Sequence, residues 1–269
     1  MNGGIHMKKF KKFLAVLLSV LFVAGCFAAC SNSEEETSDL AYIQDKGTMI
    51  IGITEYAPMN YLDENGDWTG FDTEFAQAVC EKLGVEAQFQ VIDWDNKIFE
   101  LDSKAIDCCW NGMTLTDEVM AAMNCTNAYV KNEQILVMKS DVIGNYTDAA
   151  SLADLTFAAE SGSAGAAAIE DLGYGANCTT VTAQSDALME VESGSVDACV
   201  IDSTMANAMT GEGTSYSDLA AGLILTSEEY GIGFRTDSDV TAEVNQIIEE
   251  MKADGSLQEL ADKYQLTLA

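Results

Sequence analysis

Residues 71–93 read FDTEFAQAVCEKLGVEAQFQVID, and the change of period inside them decides the fold. Phe71, Phe75, Ala78, Val79 and Leu83 recur at helical spacing on one face, and Gly84 follows where a helix ends. The spacing then drops to two, so Val85, Ala87, Phe89 and Val91 fall on one side of a strand. Upstream, GTMIIGIT (47–54) is a second strand of β-branched and small residues. Strand, helix, strand is the unit that lays parallel strands under a helix, so a parallel-rich sheet flanked by helices is expected.

The pattern continues outward from that stretch. DNKIFELDS (95–103) is a short helix, AIDCCWNG (105–112) a strand and TDEVMAAM (116–123) an acid-led helix, followed by the strand EQILVMKS (133–140). It then starts afresh: TFAAE (156–160), TTVTA (179–183) and VDACVID (196–202) read as strands, alternating with the helices AGAAAIEDLG (164–173), SDALMEVESG (185–194) and TMANAM (204–209). The chain therefore builds two α/β units, without an internal repeat of useful length.

Between the first strand and the first long helix lies DENGDWTGFDTE (63–74), which has two readings. Asp63, Asn65, Asp67 and Glu74 fill four oxygen-ligand positions of a calcium loop. The tight-turning sixth position is Trp68 where that loop needs glycine, and the preceding MIIGITEYAPMNYL is a poor helix. A hairpin turn at Asn65-Gly66, then a helix capped by Asp72, fits better, so no metal is expected.

The N-terminal MKKFKKFLAVLLSVLFVAGCFAAC (7–30) has four lysines, an apolar run and small residues before cysteine, the layout of an export signal. Both VAGC, ending at Cys26, and FAAC, ending at Cys30, resemble a bacterial lipobox. Cys30 is preferred because the polar SNSEEETSD follows it as a tether. Without residues 1–29 the chain keeps nine basic residues against 44 acidic ones, a net charge of −35. That charge excludes nucleic acid as a partner and gives a solvated, self-repelling surface. The chain's one histidine, His6, lies in the leader, so serine-histidine and cysteine-histidine nucleophile pairs and the usual zinc sites are excluded. Cys80, Cys108, Cys109, Cys125, Cys178 and Cys199 show no CxxC spacing and read as buried thiols, with pairing open to an exported protein.

The order GTMIIGITEYAPMNY (47–61), GFDTEFAQAVCEKLGV (70–85), IDWDNKIFEL (92–101), IDCCWNGMTLTDE (106–118), ESGS (160–163), VDACVIDS (196–203), EYGIGFR (229–235) and EEMKADGSLQELADKY (249–264) resembles the polar amino acid binding proteins of ABC importers, solute-binding protein family 3. The resemblance implies the type II periplasmic-binding-protein fold: two α/β lobes joined by two crossings and closing like a hinge over a small solute. With the export signal over 1–29 and the tether over 30–40, it implies a first lobe over 41–131 and 232–269 and a second over 135–227. The hinge crossings fall at 132–134 and 228–231.

The same resemblance carries a pocket onto this sequence. Tyr56 and Trp94 match the aromatics that sandwich the ligand side chain. Asn111, Gly112 and Thr114 lie in the strand end that meets the ligand's amino and carboxylate groups, and Asp202 matches the acid that holds the ammonium. Ser161, Gly162 and Ser163 stand where a helix begins, an end that favours an anion. Glu160 falls where some members carry a side-chain-reading residue, and Glu55 adjoins Tyr56.

One departure stands out. The family's carboxylate-clamping arginine is replaced by Val119, and Arg235 is the only arginine in the chain. Two ligand classes stay open: an amino acid whose carboxylate is held by Thr114 and the N–H groups of 161–163, or a cationic or neutral solute without one. The function implied is a lipid-anchored, extracytoplasmic, monomeric solute receptor that feeds the membrane subunits of an ABC importer, without cofactor, metal or catalysis. The alternative is a cyclohexadienyl-type dehydratase on the same fold, with Glu160 as general acid.

Overall fold

The structure, a computed structural model, describes residues 38–269. Cys26, Cys30 and the export signal lie outside the described residues. The helices are α1 (Asp39–Lys46), α2 (Phe71–Leu83), α3 (Lys97–Asp102), α4 (Asp117–Ala122), α5 (Ala164–Asp171), α6 (Gln184–Ser193), α7 (Ser203–Met209), α8 (Val240–Asp254) and α9 (Ser256–Lys263). The strands are β1 (Thr48–Ile53), β2 (Tyr61–Leu62), β3 (Trp68–Thr69), β4 (Glu86–Val91), β5 (Cys108–Thr114), β6 (Asn124–Cys125), β7 (Val130–Lys139), β8 (Phe157–Glu160), β9 (Cys178–Val181), β10 (Ala198–Asp202) and β11 (Leu219–Phe234).

One continuous nine-stranded sheet runs β4-β1-β5-β11-β7-β10-β8-β9, with β6 attached to β11. At one end β1 is parallel to β4 and β5, and at the other β8 is parallel to β9 and β10. The middle is antiparallel. β11 pairs with β5 through residues 230–234 and with β7 from Leu219 to Tyr230, while β7 pairs with β10 through residues 134–138. Two long strands therefore carry the chain between two α/β lobes, and the parallel strands of both lobes end at the junction. A chain that crosses only through paired strands can bend there without unpacking either core.

In the first lobe, α2 buries Phe71, Phe75, Val79 and Leu83, as its period requires. Phe75 meets Trp110 edge-on at 5.0 Å and Tyr129 at 5.5 Å. Each such ring contributes roughly 1.5–3 kcal/mol by leaving water. Helices α8 and α9 pack back onto α2, and Val130 bridges Leu268. Gly70 starts α2 at φ +117, with the Met59 carbonyl oxygen 2.3 Å from where a Cβ would stand, so the entry to the helix requires glycine.

Three expectations are corrected. Asp72 is not the cap of α2; it is its second residue and is wholly buried, for a reason that lies in the site. The tether does not extend to residue 40: Asp39 and Leu40 are helical, Ser38 Oγ accepts from the Ala41 amide at 3.0 Å, and Asp39 pairs with Arg235 at 2.9 Å. Val91, at the end of the edge strand β4, is 62% exposed, unlike Val85, which precedes that strand and is buried. The hairpin at Asn65-Gly66 is present, between β2 and β3. The Asp63 carboxylate accepts from the amides of Asn65 (2.8 Å) and Asp67 (3.0 Å), and Glu74 binds Lys263 at 2.7 Å, so the oxygens of the calcium reading serve the turn and an ion pair.

Candidate ligand-binding site

Ligands of parallel α/β sheets gather beyond the carboxyl ends of the strands. Here those ends come from both lobes and meet face to face. The end of β1 leads to Thr54 and Tyr56, β5 carries Asn111 to Thr114, β8 ends at Glu160 and β10 at Asp202; β7 and β11 supply Asn132, Gln134, Glu228 and Tyr230. A groove of about 1490 Å³ runs along the junction, lined by Thr114, Asn132, Ala164, Thr204 and Glu228 among others.

The first-lobe side is rigid. Asn111 accepts from the Thr54 amide (3.0 Å) and hydroxyl (2.8 Å) and donates to the Thr54 carbonyl (3.0 Å) and Asn60 Oδ1 (2.8 Å). Its amide is fully used in holding β1 and β5 in register. Gly112 has φ +54, and a Cβ there would stand 2.7 Å from the Tyr56 ring, so glycine lets the tyrosine lie on the backbone. The Gly112 N–H donates to Asp72 Oδ2 at 2.6 Å, and the Tyr129 hydroxyl donates to the same oxygen at 3.0 Å. Burial pushes the Asp72 carboxyl up to about 7, although those donors, the Gly112 amide foremost, pull it down.

The lobes touch through hydroxyls. Tyr56 Oη lies 2.6 Å from Tyr230 Oη and contacts the hydroxyl of Thr204, at the start of α7. Across the hinge, Glu228 Oε1 accepts from Thr114 Oγ1 (2.8 Å), Asn132 Nδ2 (2.7 Å) and Gln134 Nε2 (2.8 Å). Asp202 Oδ1 accepts from Gln134 Nε2 at 2.7 Å and from Asn132, while its other oxygen accepts from Gln184. Two carboxylates thus share two amide side chains. Burial, and then the Glu228 charge, hold the Asp202 carboxyl well above the usual range. Glu160 is 2% exposed and its Oε1 has no hydrogen-bond partner. Burial drives its carboxyl up to about 8; the nearby Thr54 hydroxyl and the Lys97 charge lower it, and the Asp202 charge raises it.

Of the residues expected at a ligand, Tyr56, Trp94, Asn111, Gly112, Glu160 and Asp202 are buried around the junction. Thr114 is half-buried and donates to Glu228. The Ser161 N–H is engaged by the Val181 carbonyl (2.9 Å) and the Ser163 N–H by the Glu160 carbonyl (3.2 Å), while Ser163 Oγ accepts from the Ala166 amide. Val119 packs in an apolar cluster with Met113, Met123 and Trp94. Glu55 is exposed.

Sequence reasoning missed Lys97, a cation in a cleft read as acidic. Its ammonium donates to the Trp94 carbonyl (3.2 Å) and crosses to the Gly162 carbonyl of the second lobe (2.9 Å), and it lies 5.1 Å from the centre of the Trp94 ring. Asn132 and Gln134 were missed too, although two amides at a spacing of two share one face of β7, a legible signal. Arg235 binds Asp39, Asp107 and the Ile106 carbonyl inside the first lobe and does not serve the cleft. Among the described residues no group of three or more metal-ligating side chains could hold an ion, and no helix is long and apolar enough to cross a membrane.

Two lobes, two crossing strands and a polar junction at the strand ends define a receptor that closes over a small solute. The chain belongs to the bacterial extracellular solute-binding proteins, family 3, which it matches over residues 49–267. It is similar to the L-cystine-binding protein TcyJ of Escherichia coli K12, with 28% identity over 92% of this chain and 94% of that one. It is likewise similar to the arginine-binding extracellular protein ArtP of Bacillus subtilis 168, with 30% identity over 94% and 98%. Among solved structures, a mutant of ArgBP from T. maritima superposes with a TM-score of 0.78 at 28% identity, covering 84% of this chain and 98% of that one. The fold is the type II periplasmic-binding-protein fold.

Proposed function

We propose that this chain is the extracytoplasmic receptor of an ABC importer and that its solute is an amino acid or a closely related amine. The observation that carries the reading is the junction itself: Glu160, Asp202, Asn132, Gln134 and Lys97, all buried, converge there from both lobes and the crossing strand. Buried polar groups in such number are costly unless they are paired or serve recognition. The relatives support the class of solute, being named for cystine and arginine binding, and they are named as binding proteins rather than enzymes. The proposed lobes are 41–131 with 232–269 and 135–227, hinged at 132–134 and 228–231. The proposed anchor is a lipid on Cys30 or Cys26; replacing both by serine then shifts the protein from the membrane fraction to the medium.

A thermal-shift panel of L-arginine, L-cystine, L-glutamine and L-histidine tests the solute class. A true ligand at 100 times its dissociation constant stabilises the folded state by about 2.7 kcal/mol, which a melting curve resolves. If none of the four raises the melting temperature, the amino-acid reading falls.

A further inference from the structure

Two basic side chains are buried among the described residues, and they differ in what holds them. Arg235 is paired with carboxylates, at 2.9 Å to Asp39 and 3.4 Å to Asp107. Lys97, 7% exposed, is in no ion pair; its ammonium donates only to the Trp94 and Gly162 carbonyls. An ammonium carries three N–H donors, so one remains. A buried cation without a counter-ion is costly, more so than its two carbonyl bonds repay. Glu160 lies close enough to feel the Lys97 charge but forms no ion pair with it, and burial pushes that carboxyl up to about 8.

Of the other groups that the resemblance assigns to a ligand carboxylate, all but the Gly162 N–H are already engaged. The Gly112 N–H serves Asp72, the Thr114 hydroxyl serves Glu228, and the Ser161 and Ser163 amides serve carbonyls. Val119, in the place of the arginine clamp, packs in the same apolar cluster as Trp94, on whose ring Lys97 lies. The lobes are in close contact at this point, since a Cβ on Gly162 would stand 2.7 Å from Asp95 Oδ1.

We propose that Lys97 takes the place of the missing arginine: its free N–H receives the α-carboxylate of an amino acid, while its bond to the Gly162 carbonyl couples that contact to closure of the lobes. The inference rests on the amino-acid reading of the site. One charge-assisted hydrogen bond in a buried site changes affinity by roughly 10- to 100-fold.

The test is calorimetric titration of L-arginine, L-cystine, L-glutamine and L-histidine, each beside its α-carboxamide, into the wild-type chain, Lys97→Met and Lys97→Arg. The wild type should prefer the acid over the amide by at least tenfold. Lys97→Met should lose that preference by weakening the acid while leaving the amide within threefold, and Lys97→Arg should restore it. Equal binding of acid and amide by the wild type overturns the proposal without any variant having to fold. So does a preference that survives in Lys97→Met, or a loss of acid and amide alike, which would make Lys97 a closure contact only. In each of those three outcomes an amino acid still binds and the parent reading stands; failure of all four amino acids to bind the wild type removes both.

Discussion

Asp72 shows how one residue can be legible in position and illegible in role. An acid in the first turn of a helix is normally a solvated cap, and nothing within the helix says otherwise. Here it is wholly buried and holds the Gly112 amide and the Tyr129 hydroxyl, groups 40 and 57 residues away in sequence. Asp72, Glu160 and Asp202 are all raised above their ordinary values of 3.8, 4.5 and 3.8. Between those values and the folded ones, about 7 for Asp72 and about 8 for Glu160, the native state binds protons that the unfolded state has lost. Stability is therefore greatest on the acid side, falls as pH rises from about 4 and levels off above about 8. The net effect on unfolding free energy is on the order of a few kcal/mol. Chemical denaturation at pH 5.5 and pH 8.5, both rough choices bracketing that window, should give the higher stability at the acid end. Asp72→Asn and Glu160→Gln should each flatten the difference. Equal slopes in wild type and variants would mean that surface repulsion, which acts in the same direction, accounts for all of it.

Elements were far more legible than residues, because their signals are local. Helix α2 and strand β1 stand where the period of 71–83 and the run of 47–54 put them, and strands β8 and β10 follow TFAAE and VDACVID closely. What period could not give was strand order and pairing partners, which depend on contacts across the chain. β11 is the clearest case: LAAGLILTSEEYGIGF spans 16 residues, carries three glycines and a charged pair, and shifts register against β7 between Ala221 and Ile224 and again before Thr226. Its alternation is broken by those shifts, so no single period survives, and only the family resemblance located its crossing. The site inherits this asymmetry. Residues at strand ends, such as Glu160 and Asp202, were placed by their elements, whereas Lys97 sits on a short helix whose exposed neighbours Asp95, Asn96 and Phe99 make it look like a surface lysine. Its burial comes from the opposite lobe, which no local pattern reports.

At the scale of the whole molecule, the two lobes meet through a few specific contacts, Lys97 to Gly162 and Tyr56 to Thr204, and the Tyr56 hydroxyl also joins that of Tyr230 on the crossing strand. A solute cannot reach Glu160 or Lys97 while those contacts hold, so binding requires an opening about the strands β7 and β11. Opening rehydrates the raised carboxyls and the buried ammonium, which favours it; closing restores the inter-lobe hydrogen bonds and buries Trp94. The two states are therefore set by opposing terms, and a solute that contacts both lobes binds the closed state better, shifting the population by its differential affinity. Small-angle scattering should accordingly show a smaller radius of gyration with a saturating ligand from the thermal panel than without it. Tyr56→Phe removes the hydroxyl that ties the first lobe to both Thr204 and Tyr230, so its unliganded particle should be more expanded than the wild type, and its ligand affinity should fall by roughly 5- to 30-fold, the worth of one or two buried hydrogen bonds. A radius that stays unchanged on saturation with a confirmed ligand, in wild type and Tyr56→Phe alike, would mean that the lobes form one rigid body and that the solute enters along the groove beside Thr114 and Ala164 without any hinge motion.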